Sequence, residues 1–149
     1  MPKNSRGELK TVDRLLESTL DSVDSAETLA LGLAREAGFR EDELHKIGMA
    51  VRESMVNAVV HGNHYSADKQ VRVTILKNGD RFTVRIQDQG DGFDPNALPD
   101  PLAAENLLSQ SGRGIFLIRA FVDEFRIRRL EPQGTEVTLV KYVVDKQQR

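Results

Sequence analysis

Two stretches that alternate apolar and polar residues around Asn78-Gly79 constrain this chain more than any other feature. Gln70–Lys77 and Asp80–Asp88 read as the strands of a β-hairpin. Asn-Gly is the pair preferred by a two-residue type I′ turn, whose central positions both need positive φ. Such a turn opposes Lys77 with Asp80, Ile75 with Phe82, Val73 with Val84 and Val71 with Ile86, while Arg72, Thr74, Thr83 and Arg85 take the other face. A hairpin with one apolar face demands a second layer to cover it. The same parity turns Asp88 toward that layer, where a carboxylate is costly unless something specific meets it. The competing reading is a strand end at which Asp88 curls into solvent or caps a turn.

The covering layer is legible upstream. Val12–Leu20 alternates as a strand (Arg14, Leu16, Ser18, Leu20), and Asp24 and Ser25 are good N-cap types for a helix that stacks Leu29, Leu33 and Ala37. Gly38 ends that helix, and Phe39 is placed to pack back on its last turn. A longer helix is expected over Glu41–His61, with three acids in its first turn and a core stripe of Leu44, Ile47, Val51, Met55 and Ala58. Its C-terminal half is apolar around most of its circumference and is expected to be buried on several sides. Glu53 and Asn57 fall there one turn apart, with His61 a turn further.

Downstream, Asp88 opens Gln-Gly-Asp-Gly-Phe-Asp-Pro, and residues 94–111 form a Pro-containing excursion whose length suggests a functional lid. Ser111-Gly112-Arg113-Gly114 leads into a short amphipathic helix. Glu124–Leu130 and Thr135–Val143 form a closing hairpin around Glu131-Pro132-Gln133-Gly134. The 149 residues fit one domain over 12–149 behind a polar tail, 1–11. The chain contains no cysteine, so thiolate chemistry and disulfides are excluded, and a cytoplasmic setting is expected. No apolar run approaches the roughly 18 residues of a membrane span, and a net charge of −2 with interleaved signs argues against direct nucleic-acid binding. Arg126, Arg128 and Arg129 form the one basic cluster, read as a solvated strand face.

Four places carry chemistry. A carboxylate and an amide one helical turn apart, Glu53 and Asn57, can activate a hydroxyl and ligate Mg²⁺ through oxygen. A buried Asp88 can accept from an exocyclic amine such as that of adenine, with Gly90 and Gly92 letting the backbone approach the base. Gly112 and Gly114 leave amide groups free at a helix start, where phosphate is favoured. Thr135, after Gly134, can offer a hydroxyl in a tight turn. Singly these are common; their order and spacing together are not.

Glu53-x-x-x-Asn57-Ala58 with His61-Gly62, Asp88-x-Gly90-x-Gly92, Ser111-Gly112-Arg113-Gly114 and Gly134-Thr135 resemble the N box and three glycine boxes of the GHKL, or Bergerat, ATPases. The resemblance covers residues 12–143, and the compact length is similar to the bacterial anti-sigma-factor serine/threonine kinases. It implies an α+β two-layer sandwich with a mixed, mainly antiparallel sheet covered on one face by helices. It also implies ATP and Mg²⁺ as cofactors. Glu53 becomes the general base for a partner's serine, Asn57 the Mg²⁺ ligand and Asp88 the reader of adenine. Gly90, Gly92, Gly112, Arg113, Gly114 and Thr135 complete the ATP site. The implied partners are a sigma factor, a serine-bearing antagonist of the anti-sigma factor, and a second copy in a homodimer. Arg40 departs from the family where a Ser or Asp cap often precedes the long helix, and the segment after Asp88 lacks a basic cluster beyond Arg113.

Two rivals differ in kind. A non-catalytic ATP-binding module would sequester a partner without needing a base at position 53. A histidine-kinase catalytic domain would need a phosphoacceptor segment; His45 lies eight residues before Glu53 on the same helix, ~12 Å of rise away, and reads as solvent-facing or as packing at the helix N-terminus. His61 and His64 read as helix-end residues rather than as a metal site.

Overall fold

In the computed structural model, which describes residues 9–90 and 110–144, the hairpin is the centre of the sheet. Strands β2 (Gln70–Asn78) and β3 (Arg81–Gln87) pair antiparallel. The register differs from the expected one by two residues: Asn78 opposes Arg81, Ile75 opposes Val84 and Val73 opposes Ile86. The turn is centred on Gly79-Asp80, and Gly79 alone takes positive φ, 62°. A glycine in the first central position serves a primed turn as well as Asn-Gly in both does. Because the slip is an even number, every side chain keeps its face, and Val71, Val73, Ile75, Phe82, Val84 and Ile86 are all buried.

Around this pair the sheet runs β1-β2-β3-β5-β4, with β1 at Lys10–Glu17, β4 at Glu124–Arg129 and β5 at Thr135–Tyr142. The expected mixed, mainly antiparallel sheet is antiparallel in each pairing among the described residues. The first strand starts at Lys10, inside the expected tail, and ends at Glu17 rather than Leu20. Leu20 instead opens helix α1 (Leu20–Ala37) and is 53% exposed. Thr19, not Asp24 or Ser25, is the N-cap, its hydroxyl accepting from Ser22 N. The buried line of α1 is Val23, Ala26, Ala30, Ala34 and Ala37, while Leu29 and Leu33 only flank the core. Small residues take that line because α1 lies directly against its neighbouring helix. Gly38 stops α1 in the left-handed conformation, and Phe39 N bonds back to Ala34 O. The Phe39 ring then meets Phe82 edge-on at 5.5 Å, tying helix end to sheet.

Helix α2 (Glu41–Val56) buries Leu44, Ile47, Val51 and Met55 as expected, but the α-helix does not continue to His61. Asn57–Gly62 forms a π-helical turn instead, closed by Asn63 N bonding to Ala58 O. At its start, Arg40 has no acceptor to cap with. Only the reciprocal half of a capping box is made, Arg40 N donating to the Glu43 carboxylate at 3.4 Å. Helix α3 (Gln110–Phe121) packs against α2, burying Ile115 and Ile118. Thus α1, α2 and α3 cover the Phe82 face, completing the expected α+β two-layer sandwich. No described helix is long and apolar enough to cross a membrane.

Candidate functional site

The π-helical turn, the end of β3 and the start of β5 meet at Asp88. Only 7% of this residue is exposed, so hairpin parity correctly turned it inward. Its Oδ1 accepts from Gly90 N at 3.1 Å and from Thr135 N at 3.2 Å, and its own N donates to Thr135 O at 3.0 Å. The bond to Gly90 is an Asx turn, so Asp88 is both core-facing and turn-closing, where the sequence left these as alternatives. Burial pushes its carboxyl above the ordinary value, with the two amide hydrogen bonds and the nearby Lys69 and His64 charges opposing. Among the described residues nothing donates to Oδ2, so acceptor capacity remains on a buried carboxylate.

Space around that carboxylate is set by two glycines. A Cβ on Gly62 would lie 2.4 Å from Asp88 Oδ2, and one on Gly90 would lie 1.7 Å from Gly62 O. The backbones of the π-helical turn and of the segment after β3 are therefore stacked in direct contact, which side chains at either position would prevent. Beside them, Thr135 is 3% exposed, and its Oγ1 is a buried hydroxyl without a hydrogen-bond partner among the described residues. An unsatisfied buried hydroxyl is unusual and makes Thr135 a candidate to meet a ligand or water.

The second half of the site is the last α-helical turn of α2. Glu53 and Asn57 are half-buried rather than enclosed, because Val56 and Val60 beside them are also only partly covered. Their neighbour Ser54 is fully buried and donates to Ala50 O at 2.8 Å. Gly114, in the first turns of α3, faces this pair: a Cβ there would lie 2.9 Å from Glu53 Oε2 and 3.9 Å from Asn57 Nδ2. Ser111-Gly112-Arg113-Gly114 belongs to the helix rather than preceding it, so Gly112 and Arg113 are placed by their backbone at a helix N-terminus, where amide donors are unpaired. Gly92 lies outside the described residues, as does most of the expected lid over 94–111. The cleft joining the two halves is lined by Asn57, Gly62, Asp88, Ile115 and Thr135. At about 30 Å³ it is water-sized, smaller than a planar base.

Sequence reasoning missed Asn63. It is 1% exposed; its Nδ2 donates to Ser18 Oγ at 2.8 Å and Gln70 O at 3.1 Å, and its Oδ1 accepts from Gln89 N at 2.8 Å. One amide thus ties the ends of β1, β2 and β3 to the π-helical turn. A polar residue right after the Gly62 helix end was the available signal. His61, His64 and His45 are all exposed, and no cluster of three His, Asp or Glu residues capable of holding a metal exists among the described residues.

Residues 16–141 match the histidine kinase-like ATPase domain. The chain belongs to this family. Within it, the chain is 32% identical to the serine-protein kinase RsbW of Bacillus subtilis over 120 residues, 75% of this chain and 72% of that protein. Identity is 28% to the Staphylococcus epidermidis RsbW over 152 residues, covering 90% of this chain and 94% of that one. With the RsbW of a Listeria monocytogenes strain it is 27% over 122 residues, 78% and 76% respectively. The fold also matches a crystal structure of the RsbU and RsbW domains of a Mycobacterium tuberculosis protein, with a TM-score of 0.63 at 18% identity. That match covers 91% of this chain and 34% of the longer one, and supports the GHKL-type fold.

Proposed function

We propose that this chain is an ATP- and Mg²⁺-dependent serine kinase that also acts as an anti-sigma factor. The observation that carries the reading is the meeting of Glu53 and Asn57 with Gly114 near the start of α3, beside a cleft that Asn57 shares with a buried Asp88 with acceptor capacity to spare.

The residues fit the nucleotide. Asp88 offers Oδ2 to an exocyclic amine, and the Thr135 hydroxyl gains the partner it lacks. Gly62 and Gly90 keep side chains away from the base, and the first-turn amides of α3 around Gly112, Arg113 and Gly114 are donors for phosphate. Asn57 supplies a neutral oxygen suited to Mg²⁺, which takes few protein ligands and keeps phosphate and water as the rest. Bound ATP would supply the γ-phosphoryl group, its bond to the bridging oxygen breaking as ADP leaves. Glu53 holds the hydroxyl of an incoming serine by accepting its hydrogen bond and takes its proton as the oxygen becomes nucleophilic. Half-burial suits that task, since the carboxylate stays open to a partner protein.

The family relationship to proteins named serine-protein kinase RsbW supports serine as the acceptor. A sigma factor as the sequestered partner, a serine-bearing antagonist as the substrate, a homodimeric assembly and a cytoplasmic setting belong to the same reading. The place of His45 on α2, on the same rigid helix as Glu53 and about 12 Å of rise from it, disfavours autophosphorylation on histidine. The test is Glu53→Gln: it should retain ATP binding while losing transfer to an antagonist. Loss of both together, or of neither, sinks the assignment of Glu53 as base.

A further inference from the structure

Every described helix packs on one face of the sheet, and among the described residues the other face carries side chains of β1–β5 alone. On β3, β5 and β4 that outer face carries Arg81, Arg85, Arg126 and Arg128 against Glu124 and Glu136, a surplus of two positive charges in a chain whose net charge is −2. The acids are committed. Glu136, 6% exposed, accepts from Arg128 at 2.7 Å and from Gln87 at 2.6 Å, and Glu124 meets Arg81 at 3.6 Å and the Tyr142 hydroxyl.

Arg85 and Arg126 feel these acids only through space, Arg85 from Glu136 and Arg126 from Glu124. Register places both directly opposite Thr138, one on each side, so their Cα atoms lie about 10 Å apart across three strands. Both are exposed, Thr138 between them is half-buried, and neither arginine has a hydrogen-bond or ion-pair partner among the described residues. Two like charges on one rung, with a hydroxyl donor between, make a fork whose geometry suits an oxyanion.

We propose that the Arg85–Thr138–Arg126 rung is a docking site for an acidic segment of a second protein, one carboxylate seated over Thr138 between the guanidinium groups. Protein rather than nucleic acid follows from charge pattern. Glu124 and Glu136 lie one rung away on either side of Thr138, and would repel a continuous phosphate backbone while tolerating a single carboxylate. The surface lies on the face of the sheet opposite the helices that carry Glu53, and its occupancy does not depend on phosphoryl transfer. A partner could therefore be held here while the nucleotide site works.

The experiment uses the full chain and a fluorescein-labelled peptide of alternating glutamate and serine, followed by fluorescence anisotropy at low and physiological salt. Saturable binding that weakens with salt is expected, with Kd rising about fivefold or more in Arg85→Gln/Arg126→Gln. Arg14→Gln/Arg35→Gln, exposed arginines elsewhere, should leave it unchanged. The proposal is overturned by absence of binding to the wild type, or by equal loss in the control pair. Preferential binding of a short DNA duplex at the same rung also overturns it. So does tighter peptide binding when Asp91, Asp94, Asp100 and Glu105 are neutralised, which would make the chain's own acidic segment the occupant.

Discussion

Gly62 abuts the carboxylate of Asp88 so closely that a methyl group on its Cα would lie 2.4 Å from Oδ2. The contact joins the π-helical turn after α2 to the end of β3. Gly62→Ala must push the buried carboxylate or the helix end aside, with Gly90 already stacked on Gly62 O. A loss of about 1–3 kcal/mol in stability is expected, as for overpacking in general, together with loss of ATP binding. Urea unfolding and nucleotide titration measure the two; full binding in a folded variant would show that the contact is not part of the site.

Asp88 gives the site a pH dependence whose sign is fixed. Burial raises its folded-state pKa above the ordinary 3.8, so in acid the folded form holds its proton longer than the unfolded chain. Stability therefore falls as pH rises through that window, and the cost is fully present above the folded value. Asp88→Asn removes the cost while keeping an oxygen for the Gly90 and Thr135 amides. At neutral pH the variant should melt at the same temperature as the wild type or higher, the difference vanishing in acid, yet bind ATP at least tenfold more weakly, the equivalent of roughly 1.4 kcal/mol. A destabilised variant with normal affinity contradicts the assignment.

Gly114→Ala separates stability from chemistry. The added Cβ meets the end of a flexible side chain, Glu53 Oε2 at 2.9 Å, which can swing away, and alanine favours a helix by up to about 1 kcal/mol over glycine. Thermal stability should hold or rise, while phosphoryl transfer falls because the displaced carboxylate no longer holds the serine. Calorimetry together with a transfer assay would expose a wild-type rate, and with it a Glu53 that does not need its observed position.

Much of this was legible in the sequence because it follows from periodicity. Parity alone placed Asp88 in the core, and it survived a two-residue error in register because an even slip preserves faces. The pairing of Glu53 with Asn57 followed from helical spacing. Other features depend on tertiary proximity that no local pattern encodes. The start of α1 moved to Thr19 because its hydroxyl could reach Ser22 N, and Asp24 is instead paired with Arg52 on α2. The π-helical turn brings Gly62 against Asp88 and Gly90, contacts that the valines of its own segment do not foretell. The two halves of the site come from segments far apart in sequence, and only the family resemblance joined them in advance.

Asn63 is the clearest such case. Its side chain makes three hydrogen bonds that fasten Ser18, Gln70 and Gln89 to the π-helical turn. Asn63→Ala leaves these groups without their partner, at an expected cost of about 2–3 kcal/mol. ATP affinity should fall with it, since Gln89 is the residue between Asp88 and Gly90. Denaturant unfolding would show a change below 0.5 kcal/mol, within the range of a surface substitution, if the amide were incidental.

The central claim, serine phosphorylation by this site with Glu53 as base, is tested most directly by locating the phosphate. The full chain is incubated with Mg-ATP and candidate antagonist domains, and every protein is mapped by mass spectrometry. The expected result is phosphoserine on an antagonist with the wild type and none with Glu53→Gln that still binds ATP. Phosphohistidine on the chain itself, or equal transfer by the variant, would contradict it.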